Sequence, residues 1–334
     1  MAKFNKYVQI SPPIGAAAGA EAAMLKIAQK YKKSVIVLED GGMFALDWFK
    51  NNAPNRIIEC GIAEANGAVI AAGLAAQGFM PFLHSFTFAV VERAYNQIRQ
   101  SILVDRFNVK ITGRDGVWGE MGVSHNTVEG IGCTRVLPNL VILNAADVVE
   151  TEKAFLAMAD YIGPVFFRME YTSPPPLKIF TDDYPFEIGK AYVIKDGKDA
   201  TIIATGYMVT EAIRAIDILE KDGLDVGIIN MSTLKPLDEE AIIKAAKKTR
   251  AIVTAENGTT IGGLGEGVGA ILARNMPAAL VTVGVEDEFS QSARSSSPRD
   301  DLKIHFGLGA EDLAISVKES IAKREEFKLI RKRS

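Results

Sequence analysis

Short, wholly apolar runs alternate with alanine-rich or amphipathic stretches along nearly the whole chain, and this alternation restricts it to one broad architecture. An Ala-rich stretch at 16–31 precedes SVIVL (34–38), IAEANGAVIAAGLAAQ (62–77) precedes FMPFL (79–83), and residues 89–104 show mixed helical spacing before NVKIT (108–112). LVILN (140–144), a helix candidate at 147–160 and PVFFRM (164–169) continue the rhythm. Strands without polar alternation are buried on both faces, the condition of a parallel sheet between helical layers. The intervening helices supply the crossovers that parallel pairing needs.

One segment interrupts the rhythm. TSPPPLKIFTDDYP contains prolines that remove backbone donors and fix φ, so an extended linker is expected near residues 172–188. Beyond it, DATIIATG, a helix around 208–221, DVGIINM, a helix around 238–247 and RAIVTAE repeat the α/β order, with strands enough for a separate core. The expected organisation is a parallel-sheet α/β domain with its linker over residues 1–187, then a smaller α/β domain over 188–334.

Composition narrows the function classes. At 48% hydrophobic and 24% charged the chain suits a folded protein, and a formal charge of −3 gives no general attraction to nucleic acid or an acidic membrane. Cys60 and Cys133 lie far apart, and the start MAKFNKYVQISPP lacks a signal-peptide core. A soluble protein of the reducing cytoplasm is expected.

Four places offer chemistry. In CGIAEANGAVIAAGLAAQG, Glu64 is the only charged residue. A buried carboxylate without a partner is costly to ionise, so Glu64 reads either as the hydrogen-bond partner of a ligand nitrogen, or as a solvated helix residue or half of an internal salt bridge. SFTFAVVERAYNQIRQ (85–100) combines Phe86, Phe88 and Tyr95 with Arg93. These can contact a flat ring and anchor it, or form an aromatic core beneath a basic surface. GRDGVWGEMGVSHN (113–126) sets four glycines around Arg114, Asp115, Glu120 and His125, as a close-approach ligand loop or a tight structural turn. Arg168 follows an apolar strand, where it faces a ligand or makes an interdomain ion pair. His84, His125 and His305 give no multihistidine metal site, and no nucleophile motif marks a serine hydrolase.

In this order and spacing, RIIECGIAEANGAVIAAGLAAQG, PFLHSFTFAVVERAYNQIRQS, GEMGVSHNTVEG, TIIATG, INMSTLKPLDEEAI and IVTAEN resemble the C-terminal half of transketolase-like, thiamine-diphosphate-dependent proteins. The resemblance covers nearly the whole chain and implies a pyrimidine-binding domain followed by the smaller transketolase C-terminal domain. It implies that Glu64 contacts N1′ of the aminopyrimidine and favours its imino tautomer, that Phe86 lines the pyrimidine pocket with Phe88 adjacent, and that His125 exchanges protons with sugar oxygens. Arg168 matches a substrate-contact position able to pair with a phosphate, and Arg114 adds positive charge. The implied reaction transfers a two-carbon ketol unit from a ketose to an aldose.

Several positions depart from the family pattern. The pyrimidine-stacking Phe aligns with Ala89, a sugar-binding acid with Met121, a familiar histidine with Arg114, and another, in the C-terminal domain, with Gly258. A usual N-terminal substrate arginine is missing from GAAAGAEAAMLK. The family's diphosphate and metal site, a GDG followed by an Asn-containing segment, has no counterpart in EDGG (39–42) or GRDG (113–116). This implies a partner subunit of the N-terminal transketolase type that holds the diphosphate and a divalent cation, expected to be Mg, in a heterotetramer with two copies of each chain. The alternatives are a 2-oxoacid dehydrogenase beta component, a deoxysugar synthase subunit and a noncatalytic scaffold.

Overall fold

The computed structural model describes residues 3–117, 122–170, 175–292 and 298–333. Two α/β sheets dominate it. The first has seven strands, in spatial order Thr233–Lys235, Val141–Asn144, Val165–Glu170, Lys110–Asp115, Met80–Phe86, Ser34–Leu38 and Ile57–Glu59. All neighbours pair in parallel except Thr233–Lys235, which runs antiparallel to Val141–Asn144. The second sheet orders Ala279–Val285, Ala251–Thr259, Ala200–Ala204, Val226–Asn230 and Tyr192–Lys195, with only the last pairing antiparallel.

The uninterrupted apolar runs become strands covered on both faces: every residue of Ser34–Leu38, Ala200–Ala204 and Val226–Asn230 is buried. Helices Ala16–Lys30, Glu64–Ala76 and Val148–Asp160 pack around the first sheet, and Met208–Lys221, Glu239–Thr249 and Leu264–Asn275 around the second. Residues 89–104 form a helical segment with wide π-helical turns at Phe88–Arg93 and Ile98–Leu103. Among the described residues, no helix is long and apolar enough to cross a membrane.

Two features go beyond the sequence reading. The segment after the prolines is extended, and it is also tied down, because Leu177–Phe180 pairs antiparallel with Val8–Pro13. Asp147 fastens it further, its Oδ2 accepting hydrogen bonds from the backbone N–H groups of Ile179 at 2.6 Å and Phe180 at 2.8 Å. Nor are the two cores separate. Thr233–Lys235 leaves the second domain to join the first sheet, and a single apolar cluster contains Val37, Ile111 and Phe166 together with Ile203, Ile229 and Leu234.

Helices Ala16–Lys30 and Val148–Asp160 meet at Gly19, where an added Cβ would run into the backbone carbonyl oxygen of Val148. Backbone cannot swing aside as a side-chain tip can. Gly19→Ala is therefore expected to lower stability by about 1–3 kcal/mol despite its better helix propensity. The readout is the urea midpoint of the free chain; a midpoint equal to or above wild type would show that the helices separate freely.

Candidate active site

The carboxyl ends of parallel strands converge where α/β sheets place ligands. Glu39 follows Ser34–Leu38, the turn to Glu64 follows Ile57–Glu59, and Phe86 ends Met80–Phe86. Gly61, at φ 65°, makes the turn possible, and its carbonyl accepts from the Ala63 N–H at 2.7 Å. Glu64 then opens helix Glu64–Ala76, whose N-terminal dipole favours a carboxylate.

Glu64 is only 5% exposed. Its Oε1 accepts a hydrogen bond from Arg93 Nη1 at 2.9 Å, and no hydrogen bond among the described residues uses Oε2. The solvated-helix reading therefore falls, and the salt bridge is present. The Arg93 guanidinium lies 5.6 Å from the centre of the Phe88 ring. Phe88 stacks on Phe86 at 6.0 Å between centroids, and the His125 ring stands edge-on to both, at 5.1 Å from Phe86 and 5.0 Å from Phe88. His125 is set by its own N–H, which donates to the Gly122 carbonyl at 3.0 Å, and by a 2.9 Å contact between its Nδ1 and Ser124 Oγ. Glu64, Arg93, Phe88, Phe86 and His125 thus form one continuous group.

Glu39 belongs beside it, although no sequence motif singles it out. It is 6% exposed, and neither carboxyl oxygen has a hydrogen-bond partner among the described residues. Gly67, one turn along the helix from Glu64, makes room for it: a Cβ at Gly67 would sit 2.5 Å from Glu39 Oε1. Burial, then the nearby negative charge of Glu64, pushes the Glu39 carboxyl up to about 8. Near neutrality Glu39 therefore holds a proton. The detectable signal was an acid immediately after the four apolar residues VIVL, at the end of a doubly covered strand.

The two expected substrate arginines fare differently. Arg114 sits opposite Phe86 in the strand register, with its guanidinium 5.8 Å from the centre of the Phe44 ring. Burial, then the charge of Arg114, pushes His84 down to about 3, so this imidazole is neutral against Thr112. Arg168 takes the ion-pair alternative. It is 1% exposed and lies 2.5 Å from Asp115 Oδ1 and 3.1 Å from Glu170 Oε1, and it also donates to the backbone carbonyl of Asn257. Its ion pairs and its bond to Asn257 all lie inside the protein, so in this structure it is a buried interdomain tie. Ala89 is buried and offers no ring, which leaves Phe86 and Phe88 as the aromatic surface. Glu120 and Met121 lie outside the described residues. Among the described residues, no cluster of three or more His, Cys, Asp or Glu could hold a metal ion.

The raised pKa of Glu39 fixes a sign. The folded state binds a proton that the unfolded chain releases above about pH 4.5, so this contribution is full at lower pH and is lost as pH rises through about 8. Glu39→Gln should flatten the loss of stability between pH 6 and 9 and leave the variant more stable than wild type at pH 9 by about 1 kcal/mol or more, one pKa unit being about 1.4 kcal/mol. Parallel pH–stability curves for the two proteins would contradict this assignment.

Two known domain families match successive parts of the chain. The transketolase pyrimidine binding domain matches residues 14–174, and the transketolase C-terminal domain matches residues 189–313. The 6-deoxy-6-sulfo-D-fructose transketolase subunit of Clostridium sp. (strain MSTE9) is 36% identical over 91% of this chain and 94% of its own length. A subunit of the apulose-4-phosphate transketolase of Phocaeicola vulgatus is 33% identical over 90% of this chain and 95% of its own. A solved split-gene transketolase, described as an inactive β4 tetramer, superposes with a TM-score of 0.85 at 33% identity, covering 93% of this chain and 99% of that one. The chain therefore belongs to the transketolase family of thiamine-diphosphate-dependent enzymes, as a subunit built from the pyrimidine-binding and C-terminal domains.

Proposed function

We propose that the chain is the pyrimidine-side subunit of a two-subunit transketolase that transfers a two-carbon ketol unit between sugars or sugar phosphates. The observation that supports this best is the buried Glu64 carboxylate, held on one oxygen by Arg93 and adjoining the Phe86, Phe88 and His125 rings. These residues fit an aminopyrimidine, since an acid with a spare oxygen suits N1′ and apolar rings suit a flat heterocycle. When bound, thiamine diphosphate supplies the nucleophilic carbon and the electron sink for breaking the carbon–carbon bond beside a ketose carbonyl.

The chain's own residues divide the remaining work. Glu64 shares a proton at N1′, while Arg93 holds its charge and orientation. Glu39, protonated, adds no second negative charge to the pocket. His125, its Nδ1 engaged by Ser124, uses Nε2 to exchange a proton with a sugar oxygen. Arg114, which pairs in register with Phe86, adds positive charge beside this group for an anionic substituent. A partner of the N-terminal transketolase type would hold the diphosphate and its divalent cation, magnesium, in an assembly of two copies of each chain. The relatives matched over 94% and 95% of their length are themselves named as subunits, which supports this division. A domain boundary between residues 187 and 188 is supported by the gap between the two matched segments, 14–174 and 189–313. The two free cysteines suit a cytoplasmic setting.

The test is to co-purify the chain with its complementary subunit and measure ketol transfer between ketose–aldose pairs, with pyruvate as the competing substrate. Transfer should require both subunits and thiamine diphosphate, and Glu64→Gln should lower kcat by about 10²–10⁴-fold. Turnover by this chain alone, or by an assembly in which Glu64→Gln is fully active, would overturn the reading; pyruvate decarboxylation without sugar transfer would replace it with oxoacid chemistry.

A further inference from the structure

His125 follows strand Lys110–Asp115 in the chain, and the second domain holds the backbone on both sides of it, at Val117 before and at Val128 after. On the incoming side, the Val117 N–H donates to Asn257 Oδ1 at 3.0 Å, and the Val117 carbonyl accepts from Ser290 Oγ at 3.2 Å. On the outgoing side, the Val128 carbonyl accepts from the Thr259 N–H at 2.8 Å. Gly116 N–H donates to the Thr127 carbonyl at 3.3 Å, closing the neck between them. Val117 and Asn257 are 0% exposed and Ser290 is 3% exposed, so water does not compete for these bonds.

The amide of Asn257 has only one workable orientation. Its Nδ2 donates to Glu170 Oε2 at 2.8 Å, which turns Oδ1 toward Val117. Glu170 is itself fixed, its Oε1 accepting from Arg168 at 3.1 Å and from Asn144 at 2.9 Å. Gly116, at φ 120°, brings the backbone so close that a Cβ there would lie 2.7 Å from Asn257 Nδ2. A chain of oriented hydrogen bonds thus runs from the buried Arg168 group through Asn257 to the backbone at Val117.

Resting on the role given above to His125, we propose that Asn257 and Ser290 are positioning residues by which the C-terminal domain sets the place of the His125 imidazole. They touch neither substrate nor cofactor; they fix the backbone from which His125 projects. A shift of about 1 Å in a reacting group is enough to reduce rate about 10²-fold.

The experiment uses imidazole-detected NMR on the full chain, where three histidines give three separable sets of ring signals. In Asn257→Ala and in Ser290→Ala, the His125 signals should shift and broaden while those of His84, buried against Thr112, stay in place. In the assembly with its partner, the same variants should lose about tenfold or more in kcat, with thiamine diphosphate affinity within roughly twofold of wild type. His125 signals that superimpose on wild type in the folded variants overturn the proposal; if Asn257→Ala does not fold, Ser290→Ala decides by the same readout. Displaced His125 signals in a protein whose wild-type assembly transfers no ketol unit would uphold the positioning role and defeat the catalytic reading instead.

Discussion

A guanidinium removed from water must be surrounded by acceptors, and the way Arg168 meets that requirement joins the two halves of the molecule. Asp115 and Glu170 flank it from adjacent strands of the first sheet, and the Asn257 carbonyl reaches it from the second. Burial pushes the Asp115 carboxyl up to about 6 against the pull of Arg168, which still leaves it ionised near neutrality. Removing one member of such a group strands the others uncompensated and typically costs about 3–5 kcal/mol. The cluster lies at the carboxyl ends of the strands that carry the site, so interdomain attachment and site geometry depend on the same charges.

The two acids at the other side of the sheet show how environment separates chemically similar groups. Glu64 has a helix N-terminus and Arg93, whereas Glu39 has neither a cation in contact nor a hydrogen-bond donor among the described residues. Two carboxylates this close cannot both carry charge cheaply, and the one without partners takes the proton. Glu39 therefore adds no second negative charge beside Glu64 below about pH 8. Gly67 is what permits the arrangement, since a side chain there would displace Glu39 and disturb that asymmetry.

How much of this was legible in the sequence depended on the range over which each feature is determined. SVIVL, TIIA and GIIN declare doubly covered strands because burial on both faces leaves no polar alternation, and the fold class follows from their order. Thr233–Lys235 gives no such signal. Its membership in the first sheet rests on backbone pairing at an edge and on how the domains pack, and neither leaves a pattern in three residues. The Glu64, Phe86, Phe88 and His125 group could be assembled from motif order, but Glu39 could not be isolated as a buried, unpartnered acid without the helix that covers it. Arg168 was compatible with a ligand or an ion pair, and only the position of Asp115 decides between them.

That decision bears on substrate recognition. A buried, doubly paired Arg168 cannot turn toward a phosphate without leaving Asp115 and Glu170 as uncompensated anions inside the protein. On the reading proposed above, recognition of an anionic sugar would draw on charge outside this buried tie, such as Arg114, which pairs in register with Phe86. With Ala89 in place of a ring, the aromatic surface is likewise moved to Phe86 and Phe88, which His125 meets edge-on. On that reading the charge that ties the domains and the charge that would read the substrate are separate, and the second can change without loosening the first.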